Sequence, residues 1–221
     1  MTFQCRSCNN KKFYNMVDLG KMPIANNLEK KPNIKNKKFK LKVVVCKNCF
    51  LAQTTANIPP HKIFHKNYSF FSKYSNIWID HIKKYKKNIT KNYLKNKKNV
   101  ICEIATNDGI LLEQFKNEKN ILIGIEPTLS TYKEAKKRKI NVINKFFTEK
   151  LARKISKNYK CDLIIANNVI AHIPNMNDFF LGIKRLLKNN GIVTVEFQYL
   201  LNLIKFLQFD TIYHEHYSYL S

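Results

Sequence analysis

Between positions 209 and 220 the chain reads Phe209-Asp210-Thr211-Ile212-Tyr213-His214-Glu215-His216-Tyr217-Ser218-Tyr219-Leu220. An imidazole can take a proton near neutral pH, a carboxylate can orient it, and a phenol can donate to a developing negative oxygen. Titratable groups crowded this closely among apolar residues point to acid–base chemistry rather than packing. A second chemical signal lies at the other end of the chain. Cys5-x-x-Cys8 and Cys46-x-x-Cys49 are two knuckles that together supply four thiolates, enough for a closed tetrahedral Zn²⁺ site with a structural role. Disulfides or free thiols are the competing readings, and a DNA-binding ribbon would use the same ligands.

A third signal is the run Glu103-Ile104-Ala105-Thr106-Asn107-Asp108-Gly109 after an apolar strand. A tight strand-to-helix turn aims backbone N–H groups at a polar ligand. Its glycines are thin: Ala105 and Asn107 stand where a dinucleotide fingerprint would place Gly. This favours a ligand with an amino-acid end over a pyrophosphate. Glu126 closes the next strand and can accept both ribose hydroxyls. Asn167, Asn168 and His172 follow a later strand, where consecutive Asn residues suit a loop. Glu196 ends the last strand as an N-cap or a substrate acceptor.

These residues need a frame. Up to about residue 60 there is little helical periodicity, with Gly20, Pro23, Pro32, Pro59 and Pro60 as breakers and a strand over 41–45. An aromatic segment follows, its apolar spacing helical from Ser75 onward. From Asn99 the pattern alternates: strands over 100–104, 121–125, 141–143, 162–166 and 192–196, and helices reaching about Phe115 and over 131–137, 149–156 and 178–187, with a turn at Gly191. Repeated βα units imply an α/β, Rossmann-like domain with a parallel sheet. The predicted organisation is a small four-cysteine zinc module at 1–60, a helical and aromatic linker at 61–98, and the sheet domain at 99–221.

In its 221 residues the chain holds 40 Lys and Arg against 15 Asp and Glu, a formal charge of +25. Arg is scarce and Lys is scattered in pairs such as Lys83-Lys84 and Lys136-Lys137. That favours solvated faces over a focused nucleic-acid stripe. The charge would still attract an anionic substrate. No apolar run is long enough to span a bilayer and no signal peptide precedes the module, so a cytoplasmic location is expected. Cys102 and Cys161 lie in apolar runs as inert core thiols.

In this order the motifs resemble those of the sugar C-methyltransferases that act on nucleotide-linked deoxysugars, enzymes dependent on S-adenosylmethionine (SAM) with an N-terminal zinc module. The resemblance covers essentially the whole chain. It is carried by the two CxxC pairs, the stretch from Tyr68 to Ser75, EIATNDG at 103–109, GIEP at 124–127, NNVIAHIPN at 167–175 and FDTIYHEHYSY at 209–219. It implies a cofactor turn at Glu103, Ala105, Asn107 and Gly109, with Gly more usual at Ala105. It also implies Glu126 on the ribose, Asn168 near the methionine end, and Tyr68 and Tyr74 as an aromatic wall. Lys73 stands where Ser is usual. The implied catalytic cluster has His216 as base, Tyr213 and His172 as oxyanion or substrate contacts, and Glu215 as orienter. His214 is left as a packing or surface residue.

The implied reaction removes a proton beside a sugar ketone, and the enolate carbon then attacks the SAM methyl. Members of this family usually carry a further C-terminal domain, so a truncated, split or fragmentary chain is expected. A partner chain would then supply the remainder, and an apolar surface would be left exposed. The alternatives are a non-catalytic remnant that keeps zinc and SAM, and an RNA methyltransferase with a zinc ribbon.

Overall fold

The computed structural model describes residues 3–26, 37–64, 68, 70–94, 98–116 and 119–221. Pro32 and Ser69, used above as a breaker and as part of a motif, lie outside them. The chain divides into two compact units. One comprises 1–63, 168–177 and 196–221; the other comprises 64–167 and 178–195.

In the first unit, β1 (Phe13–Pro23), β2 (Lys38–Cys46) and β3 (Ala52–Thr54) form an antiparallel meander, followed by one helical turn, α1 (Pro60–Ile63). β1 is irregular around Gly20. That residue takes φ +70° and donates its N–H to Asp18, a local turn that shifts the strand register.

The second unit opens with α2 (Asn76–Asn92), where the Ser75 hydroxyl accepts from the Trp78 N–H as N-cap. Its spacing buries Ile82 and Ile89 against Ile101, Leu111, Leu112 and Phe115. Then come β4 (Val100–Ile104), α3 (Ile110–Glu113), β5 (Ile121–Ile125), α4 (Leu129–Lys137), β6 (Asn141–Ile143), α5 (Glu149–Ile155), β7 (Cys161–Asn167), α6 (Met176–Leu186) and β8 (Leu187–Glu196). The sheet order is β6-β5-β4-β7-β8, and β4 pairs in parallel with both β5 and β7, as β5 does with β6. The central strands are apolar on both faces, as a sheet covered by helices on each side requires. Order reverses beside β4, so a ligand crevice is expected at the carboxyl ends of the central strands.

Two local expectations need correction. α3 is a single turn and stops short of Phe115. Gly191 lies inside β8 and does not turn the chain. A Cβ there would sit 2.7 Å from the Cys161 carbonyl, so this glycine serves a close backbone approach.

After β8 the chain returns to the first unit through α7 (Leu200–Lys205). It ends in β9 (Ser218–Tyr219), an antiparallel edge strand on β3. The first unit's small core gathers Val43, Ala52, Leu203 and Tyr219. Leu207 and Phe209 are exposed at 77% and 78%.

Candidate functional site

In the first unit the four Sγ atoms of Cys5, Cys8, Cys46 and Cys49 lie within 4.8 Å of one another. The Cys5–Cys49 and Cys8–Cys46 separations are 3.5 and 3.6 Å. Thiolates about 2.3 Å from a tetrahedral Zn²⁺ stand ~3.8 Å apart, so the spacing fits the ion. N–H donors complete the fit. The Gln53 amide reaches Cys5 Sγ at 3.2 Å, and the Asn48 backbone reaches Cys46 Sγ at 3.4 Å. Burial pushes the Cys46 thiol up, yet N–H donors from Cys49, Asn10 and Asn48 outweigh it and bring the group to about 6. Cys49 is pushed up to about 12, first by burial. A divalent cation would hold all four as thiolates. Among the described residues this is the group of His, Cys and acidic side chains with metal-ligand spacing.

The sheet unit carries the acidic turn. Ala105, Asn107 and Gly109 have φ of 57°, 52° and 78°, the left-handed region. Gly109 accepts it freely, whereas Ala105 holds it at a steric cost. Gly124 is needed beneath the turn, because a Cβ there would meet the Thr106 methyl at 2.9 Å. Glu126 binds the turn from β5: Oε2 accepts from the Asn107 N–H and Oε1 from the Thr128 N–H, each at 2.8 Å.

Asn107 and Asp108 also dock the aromatic segment. They accept the N–H groups of Ser72 at 3.0 Å and Lys73 at 2.8 Å. Ser130 donates to the Tyr68 carbonyl at 2.8 Å. Tyr74 is 76% exposed and packs edgewise on Phe71. Lys73 reaches Glu134 at 2.9 Å, and the Glu134 carboxyl is held down to about 2 by its bonds to Lys137 and Lys73.

Three carboxyls, Glu103, Asp108 and Glu126, are buried at this turn. Burial pushes Glu103 up to about 8, opposed by the Thr106 hydroxyl and reinforced by the charges of Asp108 and Glu126. A buried acid cluster of this kind fits a cation, and SAM carries both an ammonium and a sulfonium. Residue spacing alone does not single out Asp108; its one signal is an acid inside an otherwise tight turn.

The first unit holds the other candidate cluster. Tyr213 Oη lies 2.9 Å from His216 Nε2, and His216 Nδ1 lies 2.8 Å from the Thr211 carbonyl. A carbonyl only accepts, so Nδ1 carries the hydrogen and Nε2 the lone pair. His172 is arranged the same way, with Nδ1 2.8 Å from the Glu215 carbonyl. The two imidazoles lie 4.8 Å apart by centroid. Burial, then the neighbouring His172, lowers His216 to about 4, opposed by the Thr211 carbonyl. Burial also lowers His172 and raises Tyr213. At neutral pH the cluster is therefore two neutral imidazoles and a protonated phenol.

Glu215 presents its backbone carbonyl to His172, while its side chain accepts from Asn26 at 2.5 Å. The group that orients His216 is the Thr211 carbonyl. No side-chain type announces such a contact, and nothing near Pro23 marks Asn26. His214 is fully buried, with Nε2 3.2 Å from the Phe39 carbonyl. Asn168, with φ 52°, bonds Glu196 through its backbone N–H at 2.8 Å and its side-chain amide at 3.3 Å.

The strand order and the acid-lined turn define a methyltransferase-type domain, and the thiolate cluster a zinc module. Residues 77–221 match the family model described as "Methyltransferase domain", and the chain belongs to that family. Residues 5–64 match a model described as a zinc binding domain. SAM is the cofactor of this fold, and zinc is the metal of the four-cysteine cluster.

Among curated proteins, the chain is similar to C-methyltransferase NovU of Streptomyces niveus, at 29% identity over 221 residues. The match takes in 99% of this chain and 52% of NovU, so the chain spans about half the length of that relative. Among solved structures, the PH0226 protein of Pyrococcus horikoshii OT3 is similar at TM-score 0.49 and 19% identity, covering 71% of this chain and 69% of that one. A SAM-dependent methyltransferase from Clostridium acetobutylicum gives TM-score 0.47 and 15% identity, covering 58% and 54%. Among the described residues, no helix is long and apolar enough to cross a membrane.

Proposed function

We propose that the chain carries out SAM-dependent C-methylation of a nucleotide-linked keto-deoxysugar, beginning with proton abstraction by His216. The observation that carries this reading is the neutral, tautomer-defined His216 with a phenol donor at its Nε2. A carbon beside a ketone becomes nucleophilic only once its proton is removed. In the proposed step Nε2 of His216 takes that proton, the C–H electron pair becomes a C=C bond to the carbonyl carbon, and the carbonyl π pair moves onto its oxygen to give the enolate. Tyr213, kept protonated by burial, turns its O–H from Nε2 to the enolate oxygen. His172 contacts the same substrate. SAM, when bound, supplies an electrophilic methyl group.

Glu103, Ala105, Asn107, Gly109 and Glu126 hold the cofactor in this reading, with Tyr68, Tyr74 and Asn168 as further contacts and Glu196 toward the sugar. NovU's printed activity, C-methylation, supports the choice of carbon over nitrogen or oxygen. The many lysines suit an anionic nucleotide handle.

The test is solvent deuterium exchange at the sugar carbon, using a nucleoside-diphosphate keto-deoxyhexose with and without His216→Ala. Exchange in the wild type and its loss in the variant, with SAM binding kept, is the expected result. Equal exchange in both removes His216 from the role. Exchange rather than turnover is measured because the relative is about twice as long.

A further inference from the structure

Within the first unit, one residue of the cysteine knuckle reaches toward the histidine cluster. Arg6 lies between Cys5 and Cys8, but its side chain leaves the knuckle. Nη2 donates to the carbonyls of Thr54 at 3.1 Å and Ala56 at 2.8 Å, and Nη1 to that of Pro174 at 3.4 Å. Its guanidinium stacks 4.9 Å from the centre of the Tyr217 ring. Three of these contacts lead to the cluster. Pro174 is two residues past His172, and Tyr217 follows His216. Thr54 is bonded twice to the His216 segment, its hydroxyl to the His216 carbonyl at 3.2 Å and its N–H to the Tyr217 carbonyl at 3.0 Å. The Tyr217 N–H in turn donates to the Ala171 carbonyl at 2.7 Å. Gln53 ties the root of this path to the metal site by accepting the Arg6 N–H and donating to Cys5 Sγ.

We propose that Arg6 is a positioning residue for the His172–His216 pair: its planar fork clamps the backbone segments that carry the two imidazoles, so the knuckle sets their orientation. The inference rests on the reading of His216 as the base. A guanidinium suits the task because several donors leave it in one fixed plane, which an ammonium lacks. Small misplacement of a base costs rate with little effect on substrate binding.

The test compares zinc-loaded wild type with Arg6→Met and Arg6→Lys. It measures zinc content, SAM affinity, the ¹⁵N shifts of the His172 and His216 rings, and kcat and KM for deuterium exchange on the same nucleoside-diphosphate keto-deoxyhexose. Arg6→Met is expected to keep zinc and SAM binding while its ring shifts move from a single Nδ1–H tautomer to a mixture. Its exchange kcat should fall by about tenfold or more with KM nearly unchanged. Arg6→Lys should recover only part of both. Unchanged ring shifts in zinc-loaded Arg6→Met overturn the proposal.

If Arg6→Met loses zinc, Tyr217→Leu removes the stacking surface and leaves the knuckle intact, and unchanged shifts there overturn it equally. The ring shifts need no sugar. A wild type that exchanges no keto-sugar therefore sinks the proposed function, while the shifts still decide the role of Arg6.

Discussion

Tyr213 and His216 share one hydrogen bond of 2.9 Å, and its direction is set from the far side of the imidazole, where Nδ1 is committed to the Thr211 carbonyl. Two residues of chain separate the pair, yet the lone pair on Nε2 is defined by a backbone oxygen. Tyr213→Phe removes the donor and leaves that nitrogen without its phenol. We expect exchange to slow by about ten- to a hundredfold, because a donor to the enolate oxygen is lost while the base remains. SAM affinity measured by calorimetry should not change. A variant that exchanges at the wild-type rate rules out Tyr213 as the oxyanion donor.

The pH dependence follows from the burial of His216. Its folded value of about 4 lies below the ordinary 6.5, so the proposed base stays neutral across the physiological range. Exchange should hold a plateau down to mildly acidic pH and fall only as pH approaches 4. A fall centred near 6.5 would show a solvated imidazole instead. Stability moves in the same sense. The unfolded chain takes up the proton first, so the contribution is complete above 6.5 and is lost as pH falls through 6.5 to about 4. The loss amounts to about 3 kcal/mol for this group at most. Urea titrations at pH 7 and pH 5 should show the drop, and His216→Gln should reduce it.

The acidic turn predicts proton-linked cofactor binding. Glu103, held up to about 8, is largely protonated at neutral pH without a cation beside it. An ammonium placed there favours the carboxylate, so SAM binding should release a proton at pH 7. Calorimetry in two buffers of different ionisation heat reads this directly. Glu103→Gln should abolish the release and weaken binding. An identical heat in both buffers would place the cation elsewhere.

Glu126 has two tasks in one carboxylate, bonding the Asn107 N–H of the turn and the Thr128 N–H of its own strand end. Glu126→Ala leaves the buried Thr128 donor and the partly buried Asn107 donor without their acceptor, at about 1–3 kcal/mol for the buried one and less for the other. SAM affinity should fall by at least tenfold and the thermal midpoint by several degrees. Retention of both would remove Glu126 from the site and from the turn's support.

Metal removal tests the module. Cys46 receives N–H donors from Asn48 and Asn10 and stands fully buried. Cys46→Ser should abolish stoichiometric zinc. A structural zinc of this type supplies on the order of 10 kcal/mol of apparent binding energy, so the segment 5–64 should become protease-sensitive. Proteolysis with and without a strong chelator checks the same point in the wild type. Resistance after complete zinc loss would mean that the meander of β1, β2 and β3 folds without the ion.

The sequence on its own carried the order of the sheet's elements. The apolar runs at 100–104 and 121–125 declare themselves because strands covered on both faces have little polar side to interrupt them. The helix after Ser75 was legible from its apolar spacing, and the four cysteines from their intervals. Glu103 and Glu126 were legible because a carboxylate in or beside a buried apolar strand is rare, whereas Asp108 was not.

Other features required the tertiary structure. β1 was invisible, since its mostly exposed residues give no apolar alternation. β9 exists only because β3 offers it an edge, and the pairing Ala52↔Tyr219 joins residues from opposite ends of the chain. The groups that define the histidine tautomers, the carbonyls of Thr211 and Glu215, belong to the backbone and leave no mark on residue identity. Residue types could therefore say which functional groups were present. Which nitrogen holds the proton, and which arginine clamps the segments bearing the imidazoles, depended on backbone and long-range contacts that residue identity does not encode.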